Sequence, residues 1–312
     1  MDKRYLIPAS SRPGFSAALR GVIETEKIDL MVPISDSDVR VLSRLRAKIP
    51  CRLFLPRRSV IELCQDKCQL AAFLHSRGVP VPASYPITGL AQIGSLFRRL
   101  SNRSGIWCRM RAGFGAMGAS PVENPKQARN WIREWQEREG IPATAFMLSE
   151  YLPGRDFACQ SLWDQGKLVL VKTCERLSYF IPASLPSAVS SVARLAKTVF
   201  EPKVVEVCTD AIRALDTKAT GVFSLDLKES AAGVPCITEI NAGRLSSGTN
   251  IFDLTGKHNM AVTYVRLGLG EAVGIRDEYD VAEDYYMLRD MDIPPSIFHA
   301  DELFEGIVEA HW

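Results

Sequence analysis

The sequence predicts a mixed α/β protein of two or three lobes. Its 312 residues, 46% of them hydrophobic, can bury a substantial core. The first sixty residues alternate between helical and extended patterns, which predicts an α/β lobe with a parallel sheet. Residues 221–239 instead alternate apolar and polar side chains around a turn rich in Ser, Gly and Pro, which predicts an antiparallel hairpin.

The other elements follow from hydrophobic periodicity and from the residues that begin and end helices. We expect helices at 15–26, 38–48, 67–77, 127–139, 201–215 and 260–269, and strands at 29–33, 51–55, 107–111, 145–150, 157–163 and 167–173. Gly78 ends the third helix, because the prolines at 80 and 82 favour extended chain. Residues 164–166, Asp-Gln-Gly, predict a hairpin turn.

Composition excludes several classes of protein. A net charge of +2 is too balanced to indicate a nucleic-acid-binding protein. No apolar run reaches membrane-spanning length and the first residues lack a secretory signal, so we expect a cytoplasmic protein. The eight cysteines include no C-x-x-C pair, which predicts buried reduced thiols rather than zinc ligands or disulfides. The four histidines lie in no hydrolase or metal motif.

Three side chains with oxygen donors mark the predicted hairpin. Glu239 and Asn241 point the same way along the second strand, and antiparallel pairing can bring Asp226 beside them. Carboxylate and amide oxygens suit Mg²⁺, whose coordination is usually completed by water and nucleotide phosphates. The pattern therefore indicates a metal–nucleotide site. The alternative is two surface acids near a turn.

Basic residues and a glycine-rich loop precede this hairpin. Arg109 lies in an extended segment just before the loop at 112–119, where glycines let backbone N–H groups approach an anion. The loop lacks the G-K-[ST] of a P-loop and does not open a strong helix, so the P-loop and Rossmann patterns do not fit. The alternative for this loop is an ordinary turn. Another basic residue, Lys67, follows Asp66 at the start of a predicted helix, where the alternative to an anion-binding role is an N-cap Asp66 followed by a solvated Lys67.

The segment Glu239-Ile240-Asn241-Ala242-Gly243-Arg244, with the Ser/Thr/Gly run after it, resembles the metal-binding strand of the ATP-grasp superfamily. The resemblance is strongest to carboxylate–amine ligases like the large subunit of carbamoyl phosphate synthase. Other parts follow the order of that superfamily over roughly residues 60–270: a D-K helix, a G-x-P-x-P segment, a basic strand, the glycine-rich loop and a hinge at 150–156. Most relatives carry Lys at the Arg109 position, whereas carbamoyl phosphate synthases carry Arg.

The resemblance implies an ATP-grasp fold of two α+β lobes preceded by a truncated Rossmann-like α/β lobe. The expected divisions are 1–62 for the truncated lobe, 63–150 for the ATP-grasp N-terminal lobe, 151–275 for its C-terminal lobe and 276–312 for a tail of unknown role. Because a truncated parallel sheet would expose an edge and an apolar face, we expect a homodimer or a partner subunit at the N-terminal lobe.

The resemblance also implies roles for individual residues. It makes Asp226, Glu239 and Asn241 the ligands of Mg²⁺ or Mn²⁺, and Arg244 and Arg176 catalytic residues. The implied ATP-binding residues, with adenine at the hinge, are Lys67, Arg109, Gly113, Phe114, Gly115, Ala116, Glu150, Tyr151, Leu152, Asp156 and Lys172. A surface position is an equal alternative for Lys172 and Arg176, and a structural salt bridge is an alternative for Arg244.

The implied activity is that of an ADP-forming ligase of the carboxylate–amine or carboxylate–thiol type. Such an enzyme activates a carboxylate as an acylphosphate with Mg-ATP and couples it to an amine or another nucleophile. We therefore expect small-molecule carboxylate and amine-type substrates, with no nucleic acid and no membrane as partners. The alternative is a nucleotide-binding sensor, or a subunit that needs a partner chain to complete its active site. The intact Asp, Glu and Asn set favours catalysis, since a sensor could lose it.

Overall fold

The computed structural model describes residues 3–100, 105–113, 115–180, 192–246, 248–290 and 294–304. The chain begins with an α/β lobe formed by α1 (Phe15–Glu26), β1 (Leu30–Met31), α2 (Asp36–Leu45), β2 (Arg52–Leu53) and α3 (Arg58–Cys64). β1 and β2 pair in parallel, as predicted, although both are shorter than the predicted segments. α2 begins two residues earlier than predicted, because the Ser35 side chain caps it by accepting from the Asp38 N–H.

The second lobe is an antiparallel sheet covered by two helices. It contains α4 (Lys67–Ser76), β3 (Ser84–Pro86), α5 (Ile93–Leu100), β4 (Ile106–Met110), β5 (Ser120–Val122), α6 (Pro125–Glu139) and β6 (Phe146–Glu150). The strand order is β3-β6-β4-β5. Leu96 of α5 and Ile132 of α6 share a buried cluster with Leu148 of β6, which fixes both helices on one face of the sheet. α5 and β3 were not predicted, whereas β5 is the strand expected after the glycine-rich loop.

The third lobe carries the predicted hairpin within a larger antiparallel sheet. Its elements are β7 (Asp156–Asp164), β8 (Lys167–Tyr179), β9 (Ala193–Thr198), α7 (Pro202–Leu215), β10 (Gly221–Glu229), β11 (Pro235–Ala242), α8 (Thr249–Thr255), α9 (Met260–Leu269), β12 (Tyr285–Leu288), β13 (Ser296–His299) and α10 (Ala300–Phe304). The described strands run in the order β11-β10-β7-β8-β9-β12-β13. Gln165 and Gly166 have φ values of 49° and 87°, as expected for a tight hairpin turn between β7 and β8.

Part of the segment predicted to be a tail belongs to this sheet. β12 pairs with β9, placing Met287 opposite Ala196, and β13 pairs with β12. The rings of Tyr286 and Phe298 stack across the two strands with centroids 5.9 Å apart. Residues 291–293 and 305–312 of the predicted tail lie outside the described residues.

The back of the β10–β11 hairpin is buried. Phe223 and Leu225 of β10 share a hydrophobic cluster with Ile61 of α3, Leu70 of α4 and Ile212 of α7. Because side chains alternate along a strand, the residues between these apolar positions face the opposite way. The hydrophobic core therefore fixes which face of the hairpin is available for chemistry.

All eight cysteines are free thiols, seven of them buried, in agreement with the prediction. Burial raises the pKa of the Cys108 and Cys174 thiols to about 12. These thiols therefore stay protonated near neutral pH and act as small apolar side chains. Within the described part of the chain, no helix is long and apolar enough to cross a membrane.

Candidate active site

A cleft of about 1300 Å³ lies between the two antiparallel sheets. The predicted site residues that line it are Lys67, Arg109, Gly113, Gly115, Ala116, Glu150, Tyr151, Leu152, Asp156, Arg176, Asp226, Glu239, Asn241 and Arg244. Phe114 lies outside the described residues, as does Ser247 of the Ser/Thr/Gly run. Residues spread over much of the chain thus meet in one cavity.

The strand register brings the three predicted metal ligands together. Asp226 of β10 pairs directly with Glu239 of β11, and Ser224 pairs with Asn241, so all three donors share the cleft face. A β-bulge follows directly after Asp226. The third donor of this set, Asn241, is an amide. Among the described residues, no three His, Cys, Asp or Glu side chains form a metal-binding group. Two carboxylates and one amide fit Mg²⁺ that takes its remaining ligands from phosphate and water.

Lys67 connects β11 to the glycine-rich loop. Its Nζ lies 3.3 Å from Glu239 Oε2 and donates to the Gly113 carbonyl at 2.9 Å. Asp66 does cap α4, but Lys67 is buried rather than solvated. The ammonium group therefore lies where it can meet an anion held between the loop and Glu239.

The glycine-rich loop turns sharply beside this ammonium group. Gly115 and Ala116 have φ values of 66° and 59°, in the left-handed region that a tight turn requires. A Cβ added to Gly118 would lie 2.7 Å from the Met110 side chain, so the loop returns close to β4. Both features hold the backbone of the loop over the cleft.

Arg109 lies on the floor of the same region. Its Nη2 donates to the Thr238 carbonyl at 2.8 Å, while its buried Nε has no hydrogen-bond partner among the described residues. Burial lowers the pKa of Arg109, and the neighbouring Glu239 and Asp226 oppose that effect. An unsatisfied buried donor of this kind is costly, and a bound ligand is one explanation for it.

The hinge forms the apolar end of the cleft. Leu152 is buried, and the Tyr151 ring lies 6.1 Å from the Trp107 ring. Lys228 Nζ lies 5.4 Å from the Tyr151 ring centroid. The Tyr151 N–H donates to the Gly105 carbonyl at 3.0 Å and is therefore already satisfied. This end of the cleft suits a flat, largely apolar group such as a nucleotide base.

Arg176 lies between two carboxylates in the cleft. Its Nη1 donates to Asp156 Oδ1 at 3.2 Å, its Nη2 donates to Asp226 Oδ1, and Tyr179 donates to Asp156 Oδ2. Burial opposes the charge on Arg176, but Asp226 and Asp156 outweigh it and raise its pKa well above the usual value. Arg176 is thus a fixed cation in the cleft and not a surface residue.

Arg244 forms the salt bridge that the alternative interpretation described. Its Nε donates to Asp36 Oδ1 at 2.8 Å and its Nη2 to Asp36 Oδ2 at 3.0 Å. The same Nη2 donates to Asn241 Oδ1 at 2.9 Å. Arg244 therefore joins β11 to α2 of the first lobe and also lines the cleft.

Lys172 is neither in the cleft lining nor on the surface. Its side chain is 1% exposed, and its Nζ lies 3.1 Å from Asp280 and 4.0 Å from Asp253. The same Nζ donates to the Phe252 carbonyl at 2.5 Å. The segment that contains α8 covers this part of β8 and supplies acceptors that no local sequence pattern indicates.

Tyr179 and Lys228 are among the cleft residues that sequence reasoning missed. Lys228 could have been found, because it follows Asp226 by two positions on the same strand and shares its face. Tyr179 could not, since it follows Arg176 by three positions and a regular strand would put it on the opposite face. Irregularities in the β8–β9 pairing between Arg176 and Tyr179 change that alternation.

Comparison with known proteins identifies the architecture. No family model matches the chain, and no curated protein matches its sequence. Among solved structures, the chain is similar to a biotin carboxylase–β-γ-ATP complex from Campylobacter jejuni, with 15% identity and a TM-score of 0.71 over 89% of this chain and 63% of that one. It is also similar to an L-amino acid ligase from Bacillus licheniformis, with 14% identity and a TM-score of 0.65 over 88% and 64% of the two chains.

A third similar structure is the biotin carboxylase domain dimer of 2-oxoglutarate carboxylase from Hydrogenobacter thermophilus, in complex with MgADP, ADP and bicarbonate. Identity is 14% and the TM-score is 0.70, over 87% of this chain and 60% of that one. The chain spans less than two thirds of the length of each of these three proteins. Together these likenesses show that the chain has the ATP-grasp fold.

Proposed function

We propose that the protein is an ATP-dependent ligase that activates a carboxylate as an acylphosphate and couples it to an amine or another nucleophile. One observation carries the proposal. The oxygen donors Asp226, Glu239 and Asn241 face Lys67 and Arg109 within a single cleft. A cleft with metal ligands and fixed cations together suits a triphosphate and the transfer of its terminal phosphoryl group.

Different residues of the cleft would bind different parts of the nucleotide. Tyr151 and Leu152 form the base end, and Lys67 and Arg109 lie where the phosphates would follow. Asp226, Glu239 and Asn241 would hold Mg²⁺ or Mn²⁺. The metal would neutralise phosphate charge during transfer. Similar structures contain β-γ-ATP and MgADP, which supports ATP and Mg²⁺ as the ligands here.

The chemistry proceeds in two steps. An oxygen of the substrate carboxylate attacks the γ-phosphorus of ATP, the bond to the β-phosphate oxygen breaks, and ADP leaves. The amine nitrogen then attacks the acyl carbon, the bond to the phosphate oxygen breaks, and inorganic phosphate leaves as the nitrogen loses a proton. Lys67, Arg109 and Arg176 contribute fixed positive charge, and the two sheets align the reactants.

Release of ADP from pairs of carboxylic acids and amines tests this function. We expect the correct acid to stimulate ADP formation, and hydroxylamine in place of the amine to trap the activated acid as a hydroxamate. Formation of AMP and pyrophosphate with the same substrates would mean an adenylate intermediate and would rule out the acylphosphate route. Absence of stimulation by every pair, with tight nucleotide binding retained, would favour a nucleotide-binding sensor.

Replacing Arg244 by Lys tests the proposed acceptor site. Lysine cannot reproduce a bidentate fork, so we expect the KM for the acid to rise by about tenfold while the KM for ATP changes by less than about twofold. Steady-state kinetics with each substrate varied in turn measures both values. Asp36→Asn is the matched control, because it weakens the salt bridge at Asp36 and keeps the guanidinium. An equal effect of Asp36→Asn would assign Arg244 to holding the lobes together.

We further infer that the protein forms a homodimer or binds a partner chain through its first lobe. Leu6 and Ile34 of that lobe are 104% and 83% exposed. One of the similar structures is a domain dimer. Light scattering should therefore show a dimer that Ile34→Glu weakens, whereas Leu254→Glu, at another exposed position, should not. A monodisperse wild-type monomer at high concentration, with no partner added, would contradict this.

A further inference from the structure

One arginine of the cleft, Arg176, is ion-paired with a carboxylate that is also a proposed metal ligand. Arg176 pairs with Asp226 on one side and with Asp156 on the other. In the proposed function Asp226 also binds Mg²⁺, so the guanidinium and the metal compete for the same carboxylate. A guanidinium and a divalent ion that share one carboxylate repel each other, so each weakens the binding of the other.

The second carboxylate holds Arg176 in place independently of the metal. Asp156 lies directly opposite Arg176 in the β7–β8 register, and both of its oxygens are used. Oδ1 accepts from Arg176 at 3.2 Å, and Oδ2 accepts from the Tyr179 hydroxyl. Asp156 therefore cannot turn to a different partner without losing a hydrogen bond in a partly buried position.

The placement of Tyr179 depends on an irregular strand. The pairing of β8 with β9 shifts between Arg176 and Ser178 and again between Ser178 and Tyr179. Such irregularities redirect side chains and are common beside active sites. Here they bring Tyr179 to the same carboxylate as Arg176, three positions earlier.

We propose that Arg176 exchanges one of its hydrogen-bond partners when a metal binds. It neutralises Asp226 in the metal-free cleft, and when a metal occupies Asp226 its Nη2 turns to a phosphate of the bound nucleotide. Asp156 and Tyr179 keep the guanidinium in position during this exchange, which makes Tyr179 a positioning residue. The inference rests on the proposed function, because it uses the proposed metal and nucleotide sites.

Arg176→Met separates the two roles because it should shift two affinities in opposite directions. Removing the competing cation should tighten the binding of Mn²⁺ alone by about threefold or more, followed by electron paramagnetic resonance. Removing a phosphate contact should weaken an ATP analogue with a methylene between its β- and γ-phosphates by about tenfold, measured by calorimetry in saturating Mg²⁺. Thermal unfolding shows whether the variant is folded.

Arg155→Met is the matched control for this experiment. Arg155 also pairs with two acids, Glu229 and Glu201, but it is not among the residues that line the cleft. We expect it to leave both affinities unchanged. If Arg176→Met weakens or fails to change Mn²⁺ binding, or fails to weaken the analogue, the exchange is ruled out. Failure of the wild-type protein to bind the analogue with Mg²⁺ would instead overturn the proposed function itself.

Tyr179→Phe tests the positioning role. Loss of the hydroxyl should weaken the analogue in Mg²⁺ by about threefold in the wild-type background and should have no further effect in Arg176→Met. This dependence arises only if Tyr179 acts through Arg176. An equal loss in both backgrounds would show that Tyr179 acts separately and would overturn its assignment as a positioning residue.

Discussion

Glu239→Gln is expected to lower the rate of ADP release by about a hundredfold or more while the protein remains folded. The substitution keeps the shape of the side chain and removes one negative charge from the proposed metal site. Glu239 lies directly opposite Asp226, so the negative charge is removed from the middle of the proposed donor set. Its buried neighbour Lys67 loses a charged partner but keeps its hydrogen bond to the Gly113 carbonyl, which should preserve the local structure.

Two measurements separate loss of catalysis from loss of structure. Glu137→Gln makes the same chemical change on the exposed side of α6 and should retain the wild-type rate and melting temperature. Titration with Mg²⁺ should show that Glu239→Gln needs a higher metal concentration than the wild type. A folded Glu239→Gln protein with wild-type ATP consumption would exclude Glu239 as a metal ligand.

The hairpin and its donors could be predicted because their signals are local. Apolar alternation in β10 and a recognisable turn define which positions share a face, and pairing then places Asp226 against Glu239. The resemblance to the ATP-grasp superfamily supplied the other predicted residues that line the cleft. These parts are far apart in the sequence but line the same cavity.

Sequence reasoning is weakest where the position of a side chain depends on distant partners. Arg244 meets Asp36, which is 208 residues away in sequence, and its choice between acceptor and salt bridge has no local signal. β12 and β13 are short strands whose pairing with β9 joins segments far apart in the chain. Lys172 was interpreted from its strand alone, whereas both of its carboxylate partners come from the C-terminal part of the chain.

The environment of Lys172 predicts a large effect of its substitution on stability. Its ammonium is buried with Asp280, whose Oδ1 accepts from the Lys257 N–H at 2.8 Å and whose Oδ2 accepts from the His258 N–H at 2.7 Å. A Cβ added to Gly256 would lie 2.5 Å from Lys172 Nζ, so the segment between α8 and α9 packs directly on the ion pair. Lys172 thus joins β8 to that segment and to the chain beyond α9.

Lys172→Met should therefore lower the free energy of unfolding by about 3–5 kcal/mol, because it leaves buried carboxylates without their counter-ion. Urea denaturation measures this loss. Lys167→Met, at an exposed position on the same strand, should change it by less than about 0.5 kcal/mol. Adding Asp280→Asn to Lys172→Met should cost less than the sum of the two single changes, since the pair is then removed together. If Lys172 instead contacts ATP, Lys172→Met would weaken nucleotide binding with little loss of stability. That outcome would show that the buried ion pair does not hold the segment between α8 and α9 to the sheet.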